Sequence, residues 1–250
     1  MKCGVQLEAA IAANSRVGSG EWRQRCWRAE ARSSKLLGKQ KTMPARKTIP
    51  SMLTEGRHRI SSGRIGEVVD LIRRDPKRAR QLLECLWDEE PAVAMRAADA
   101  LEKLTRRRPT VPDPVLETLL AVLQRSWKEP LIGLLAEAAE NKLRWCLAAT
   151  VPRLALTVSE CRRVAGILES YLEDRSSIVK TCALQGLTDL ARQDVSLWPE
   201  VIDLLRIHSR SGTPAMRARG RMLLKQLESM QTKRFAEFIS GDSQPGKILA

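Results

Sequence analysis

Histidine is nearly absent from this sequence, with two among 250 residues, and aromatic side chains make up only 4%. His58 and His208 are far apart, and neither has a neighbour suited to general-base or metal work, so no catalysis and no metal site is expected from them. No run alternates apolar and polar residues, and the β-branched and aromatic enrichment of strands is missing, which excludes a sheet protein. No stretch approaches the ~18 consecutive apolar residues of a membrane span. Gly18-Ser19-Gly20 is too short for a phosphate loop and lacks the strand-to-helix setting. The six cysteines, at positions 3, 26, 85, 146, 161 and 182, include no pair at metal-ligand spacing. Cys85, Cys146 and Cys182 lie among apolar helical residues and read as small buried hydrophobes, which suits a reducing, cytoplasmic setting. The stretch from Met1 to Asn14 carries one Lys and then Glu8, a poor secretory signal.

Positive charge is in excess, at +14 with a pI near 10.0. It is unevenly placed, since residues 1 to 60 hold 13 Lys or Arg against 4 Asp or Glu. This first segment lacks helical periodicity and mixes Arg, Lys, Ser and Gly with Trp22 and Trp27, so residues 1–60 read as a disordered basic segment or an overcalled start. Met43 and Met52 offer alternative starts.

The remainder repeats itself. Eleven positions before Leu104, Leu154, Leu190 and Leu227 stand Val93, Leu143, Val179 and Met216, and three positions before them stand Leu101, Val151, Leu187 and Leu224. Seven positions before come Ala97, Leu147, Ala183 and Gly220, small in three of the four copies. Offsets of three, seven and eleven fall on one helical face. An all-α stack follows, in which each helical hairpin buries its apolar stripe only against its neighbours.

Helical stripes begin at Ile65 and continue through Ala79, Leu82, Leu83, Leu86 and Trp87 to a break at Asp88-Glu89-Glu90-Pro91. The intervals between the anchoring leucines are 50, 36 and 37 residues, so an extra helix is expected between Arg108 and Asn141, making a three-helix unit. Pro152 lies within the second repeat helix and predicts a kink near Ala148. The repeat domain spans 62–229, in about four hairpins, and 230–250 reads as a C-terminal tail.

Val179-Lys180 with Ala183, Leu187 and Leu190, and Met216-Arg217 with Gly220, Leu224 and Leu227, resemble the second helix of HEAT repeats, and the copies at Val93 and at Leu143-Arg144 follow the same phasing. The resemblance covers roughly Ser62 to Ser229 and implies an α-α superhelix. It also implies a ladder of acids six positions before the repeat base, which Asp88 and Asp174 would supply by pairing with Arg144 and Arg217.

Arg144, Lys180 and Arg217, with Arg96, Arg219 and Trp145, are the candidate binding residues. They read either as interhelical ladder and solvated edge or as a strip that meets phosphates or an acidic protein segment. Glu89-Glu90 and Glu173-Asp174 are paired carboxylates at helix starts, where helix electrostatics explains them. The expected function is a non-catalytic protein-binding scaffold without cofactor, the alternative being a nucleic-acid-binding solenoid. A third reading, resemblance to the HEAT-like alkylpurine DNA glycosylases, rests on Arg144 and Trp145 and lacks an Asp within one turn of them.

Overall fold

The computed structural model describes residues 48–56, 61–106 and 114–239, with side chains to 233. Among them every regular element is helical, as the missing strand signals require. No helix among the described residues is long and apolar enough to cross a membrane.

The helices in chain order are α1 (Ile49–Thr54), α2 (Ile65–Arg74), α3 (Ala79–Glu84), α4 (Pro91–Thr105), α5 (Pro114–Val122), α6 (Lys128–Glu137), α7 (Asn141–Thr150), α8 (Val158–Ser170), α9 (Ser177–Gln193), α10 (Trp198–Ser211) and α11 (Pro214–Ile239). Their starts follow from local chemistry. Pro91 opens α4 after Glu90, whose carboxylate accepts from Ala92 N–H, and a proline in the first turn forfeits no helical hydrogen bond. Thr157 and Glu160 cap α8 reciprocally, side chain to backbone in both directions. Ser176 caps α9 by accepting from Val179 N–H. Several helices tighten at their ends into 3₁₀ turns, as at Cys85–Trp87 and Tyr171–Glu173.

Four helices form the spine. α4 packs on α7, α7 on α9, and α9 on α11. The residues that align by sequence are those buried between them: Val93, Leu143, Val179 and Met216, with Leu104, Leu154, Leu190 and Leu227. Leu101, Val151 and Leu187 are also buried, and Leu224 is half-buried against the same core. α10 lies against α11, and α8 against α9. α6 joins this outer side through Lys128 to Glu160 (2.8 Å), Arg163 to Glu129 (2.6 Å) and the Tyr171 hydroxyl, which donates to Leu135 C=O (2.5 Å).

The expected extra helix is present: α5 and α6, joined through a π-helical turn at Leu123–Trp127, stand between α4 and α7, where each later interval holds one helix. Trp127 closes that turn with its ring 5.8 Å from the ring of Trp87.

Three expectations need correction. The segment read as disordered contributes α1, which Thr48 caps and which buries Ile49, Met52 and Leu53; residues 1–47 and 57–60 lie outside the described residues. Pro152 does not kink a longer helix, because α7 has already ended at Thr150 and the proline sits in a 3₁₀ turn, Val151–Arg153, where no i−4 bond is forfeited. The tail expected from 230 is helical as far as Ile239, the rest lying outside the described residues.

α7 and α9 approach so closely at Gly186 that an added Cβ would stand 2.7 Å from Ala148 C=O and 2.8 Å from Leu168 Cδ1. Gly166 on α8 has nothing within 4 Å of the same position. Two alanine substitutions therefore act with opposite sign. Gly186→Ala lowers unfolding free energy by about 1–3 kcal/mol through overpacking, and Gly166→Ala raises it by up to ~1 kcal/mol through helix propensity. Urea denaturation of both variants checks this; equal effects would contradict the close approach.

A candidate cationic interaction surface

Residues four, seven and eleven apart share one side of a helix. On α9 that stripe is Ile178, Cys182, Gln185 and Asp189, prolonged to Arg192; on α7 it is Lys142, Cys146 and Ala149, prolonged to Arg153 in the turn that follows. α7 packs on α9, where Gln193 Nε2 donates to Pro152 C=O at 2.7 Å, and each stripe also reaches the helix on its other side. Lys142 Nζ is 2.9 Å from Asp99 Oδ2 of α4, and Arg153 Nη2 is 2.9 Å from Glu102 Oε1 of the same helix. Arg192 Nη2 donates to Gln226 Oε1 of α11 at 2.8 Å.

The carboxylates on this surface lie beneath its cations. Glu102 is held between two guanidinia, Arg153 and Arg106, the latter with Nη2 at 2.8 Å from Oε2. Arg153 Nη1 also donates to Glu102 C=O and to Thr105 Oγ1, both at 3.1 Å. Asp99 is shared by Lys142 and Lys103 in the same manner. The side chains of Glu102 and Asp99 are 3% and 7% exposed, against 65% for Arg106 and 42% for Lys103. Asp189 accepts from Gln185 Nε2 (3.0 Å) and Arg192 Nη1 (2.9 Å).

Electrostatics agrees with this convergence. Burial pushes the Cys182 thiol up to about 11, with Glu102 acting the same way, while Arg219, Arg153 and Arg106 oppose the rise. Burial likewise raises the Asp189 carboxyl above its ordinary range despite the opposing pull of Arg192, Gln185, Arg153 and Arg219. Cys161 is pushed up to about 11 and Cys85 to about 12, each chiefly by burial, and Cys146 is raised by burial as well. Thiols so shifted are poor nucleophiles near neutrality. No group of three or more His, Cys, Asp or Glu among the described residues could hold a metal ion.

The residues singled out from sequence do not form one strip. A step of two residues turns ~200° around a helix, so Arg219 points away from Arg217 on α11, and the same step separates Arg96 from the equivalent position on α4. Arg219 is exposed and, seven positions before Gln226, lies on the flank of α11 that meets Arg192. Arg96 is buried, with its guanidinium donating to Leu53 C=O (2.6 Å), Thr54 C=O (3.3 Å) and, through Nε, to Ser61 C=O (3.0 Å). It holds α1 on α4. Trp145 is half-buried against the core, and Lys180 is half-buried in the first turn of α9. Arg217 is exposed and donates to Gly212 C=O at 3.1 Å.

The acid ladder runs opposite to the expected direction. Asp174, in the turn before α9, pairs with Arg144 of α7 at 3.1 Å, not with Arg217 of α11. Asp88 accepts from Glu90 N–H at 2.9 Å and so shapes the entry to α4, without reaching Arg144. An offset of six residues marks the acid but not which neighbour it faces.

Arg153, Arg192, Glu102 and Asp189 went unread because they occupy the other flank of the apolar stripe. A signal was present: ten positions after Val93, Leu143, Val179 and Met216 stand Lys103, Arg153, Asp189 and Gln226, polar in every copy.

No protein-family model matches this chain. No curated protein matches it. A crystal structure of an engineered protein is similar in fold, with a TM-score of 0.50 and 14% sequence identity over 72% of this chain and 78% of that chain. At that identity the likeness concerns fold alone.

Arg96→Met keeps the aliphatic bulk and removes the three carbonyl contacts. We expect a loss of about 2–4 kcal/mol, from charge-assisted bonds of ~1.5–3 kcal/mol and the carbonyls left behind, with amide exchange accelerated selectively over residues 49–54. Unchanged protection there would contradict the clamp.

Proposed function

We propose that the chain is a non-catalytic HEAT-like solenoid that binds another protein along the surface formed by α4, α7, α9 and α11. What carries this reading is the succession of spine contacts, α4 to α7 to α9 to α11, which places equivalent flanks of four helices next to one another. A surface built this way is long for the number of residues spent on it, and each unit needs only its neighbour for support. Polar and apolar groups mix on it: Ile178 lies one turn from Cys182 and is 60% exposed, and Met222 lies one turn from Arg219 and is 42% exposed. Large apolar side chains beside exposed arginines are the composition of a protein-recognition surface. The ion-paired carboxylates and the suppressed thiols favour binding over catalysis.

A nucleic-acid reading has one observation in its favour. Between Pro214 and Lys233, α11 exposes Arg217, Arg219, Arg221, Lys225 and Lys233, with Glu228 the one acid in that stretch. Phosphate-driven binding of this kind weakens steeply with salt.

A photo-crosslinking amino acid at Met222, with Val158 on α8 as a control of similar exposure, separates the readings. Protein adducts at 222 that persist after nuclease treatment, and are absent at 158, are the expected result. Adducts lost on nuclease treatment would overturn the protein-binding reading in favour of the nucleic-acid one, and equal adducts at both positions would remove this surface from either.

A further inference from the structure

Resting on the protein-binding reading, we propose that the cationic surface recognises an acidic segment of its partner, laid across α7, α9 and α11 so that its carboxylates meet Arg153, Arg192 and Arg219. The layering of charge leads to this chemistry. Asp99 and Glu102 are buried and already held by Lys142, Lys103, Arg153 and Arg106, so the groups a partner encounters first are cations. Arg219 is exposed and has no ion-pair partner among the described residues. It stands seven positions before Gln226, on the flank of α11 that meets Arg192, and its charge acts on Asp189 together with those of Arg192, which contacts that carboxylate, and Arg153. Guanidinium forks favour carboxylates in bidentate geometry, a capacity that Arg219 keeps whole, while Arg153 and Arg192 add their charge from beside acceptors they already hold.

Charge density favours a polypeptide over a polynucleotide. The surface carries Lys103, Arg106, Lys142, Arg153, Arg192 and Arg219 against Asp99, Glu102 and Asp189, an excess of three positive charges. A duplex presents one phosphate charge per ~1.7 Å, which three uncompensated cations cannot match. Two interhelical steps of ~8–10 Å each separate α7 from α11, a span that about six extended residues cross at ~3.3 Å each. Ile178 and Met222 offer apolar contact to side chains between the acids.

The test uses the full chain and a fluorescein-labelled peptide of about twelve residues repeating Glu, Asp and Leu, followed by anisotropy at about 0.1 M salt, where the Debye length is ~10 Å. Arg192→Glu with Arg219→Glu is expected to weaken binding at least ~10-fold, by direct repulsion of the peptide's carboxylates. Arg162→Glu, an exposed base on α8, serves as a single-reversal control and is expected to change it less than ~2-fold, since exposed charges more than a Debye length apart are screened. An oligothymidylate of equal charge is expected to bind at least ~10-fold more weakly than the peptide. Should the helical circular dichroism of the double charge reversal fall, Arg219→Gln alone is expected to weaken the peptide at least ~3-fold, and no change in either variant overturns the proposal. Equal loss in Arg162→Glu, absence of peptide binding, or an oligothymidylate that binds as tightly as the peptide also overturns it. Protein adducts at position 222 that persist while the peptide fails would leave the scaffold reading standing and remove only the acidic partner.

Discussion

Asp99 and Glu102 bring negative charge into the packed side of α4, and the placement of the helix that follows depends on how that charge is met. A carboxylate removed from water is tolerated only when paired and hydrogen-bonded. Lys142 and Arg153, near opposite ends of α7 and its terminal turn, are the groups that meet it across the interface, each at 2.9 Å. The apolar seam between the spine helices supplies most of the driving force but no direction, because burial of Leu and Val side chains is insensitive to a slide along the axis. Two ion pairs that reach from opposite ends of α7 to one turn of α4, where Asp99 and Glu102 stand three residues apart, fix what the seam leaves open. The same pairs draw the acids inward and leave Arg106 and Lys103 outward.

Farther along, other contacts take over this role. Gly186 lets α9 approach the backbone of α7 at Ala148, and Asp174 ties the turn before α9 back to Arg144. Arg192 reaches Gln226 on α11. At the front, Arg96 gathers the main-chain carbonyls of Leu53, Thr54 and Ser61, so that α1 packs on α4 with Ile49, Met52 and Leu53 buried. Gly63, with φ of 49°, makes the turn that lets the chain pass from this clamp into α2. The first unit is thus closed by main-chain contacts to a single buried guanidinium.

Periodicity was enough to find the spine, because every aligned position from Val93 to Leu227 had to be apolar for neighbouring helices to meet. The extra helix between α4 and α7 was legible for the same reason, as a surplus in the leucine spacing. Shorter and less periodic features were not. α1 has six residues, too few for a stripe to stand out, and the hydrogen bonds that dock it come from Arg96, more than forty positions away. Pro152 could be located but not interpreted, since a proline stops a helix that has already ended as readily as it kinks one that continues. For the site, the bases next to the apolar repeat positions drew notice, yet Arg144 is occupied by Asp174 and Arg96 by α1. Of the six residues marked, Arg219 alone belongs to the cationic surface. The charged residues around it are conspicuous only once the opposite flank of each helix is followed from one unit to the next.

The most direct measurement is a double-mutant cycle on Glu102 and Arg153, using Glu102→Gln, Arg153→Met and the pair, with unfolding free energies from urea titration. If these two residues set how α7 lies on α4, their coupling is about 1–3 kcal/mol, the range for contacting residues in one charged network. Losses that simply add, to within ~0.5 kcal/mol, would contradict it and with it the alignment of the surface on which the functional reading rests.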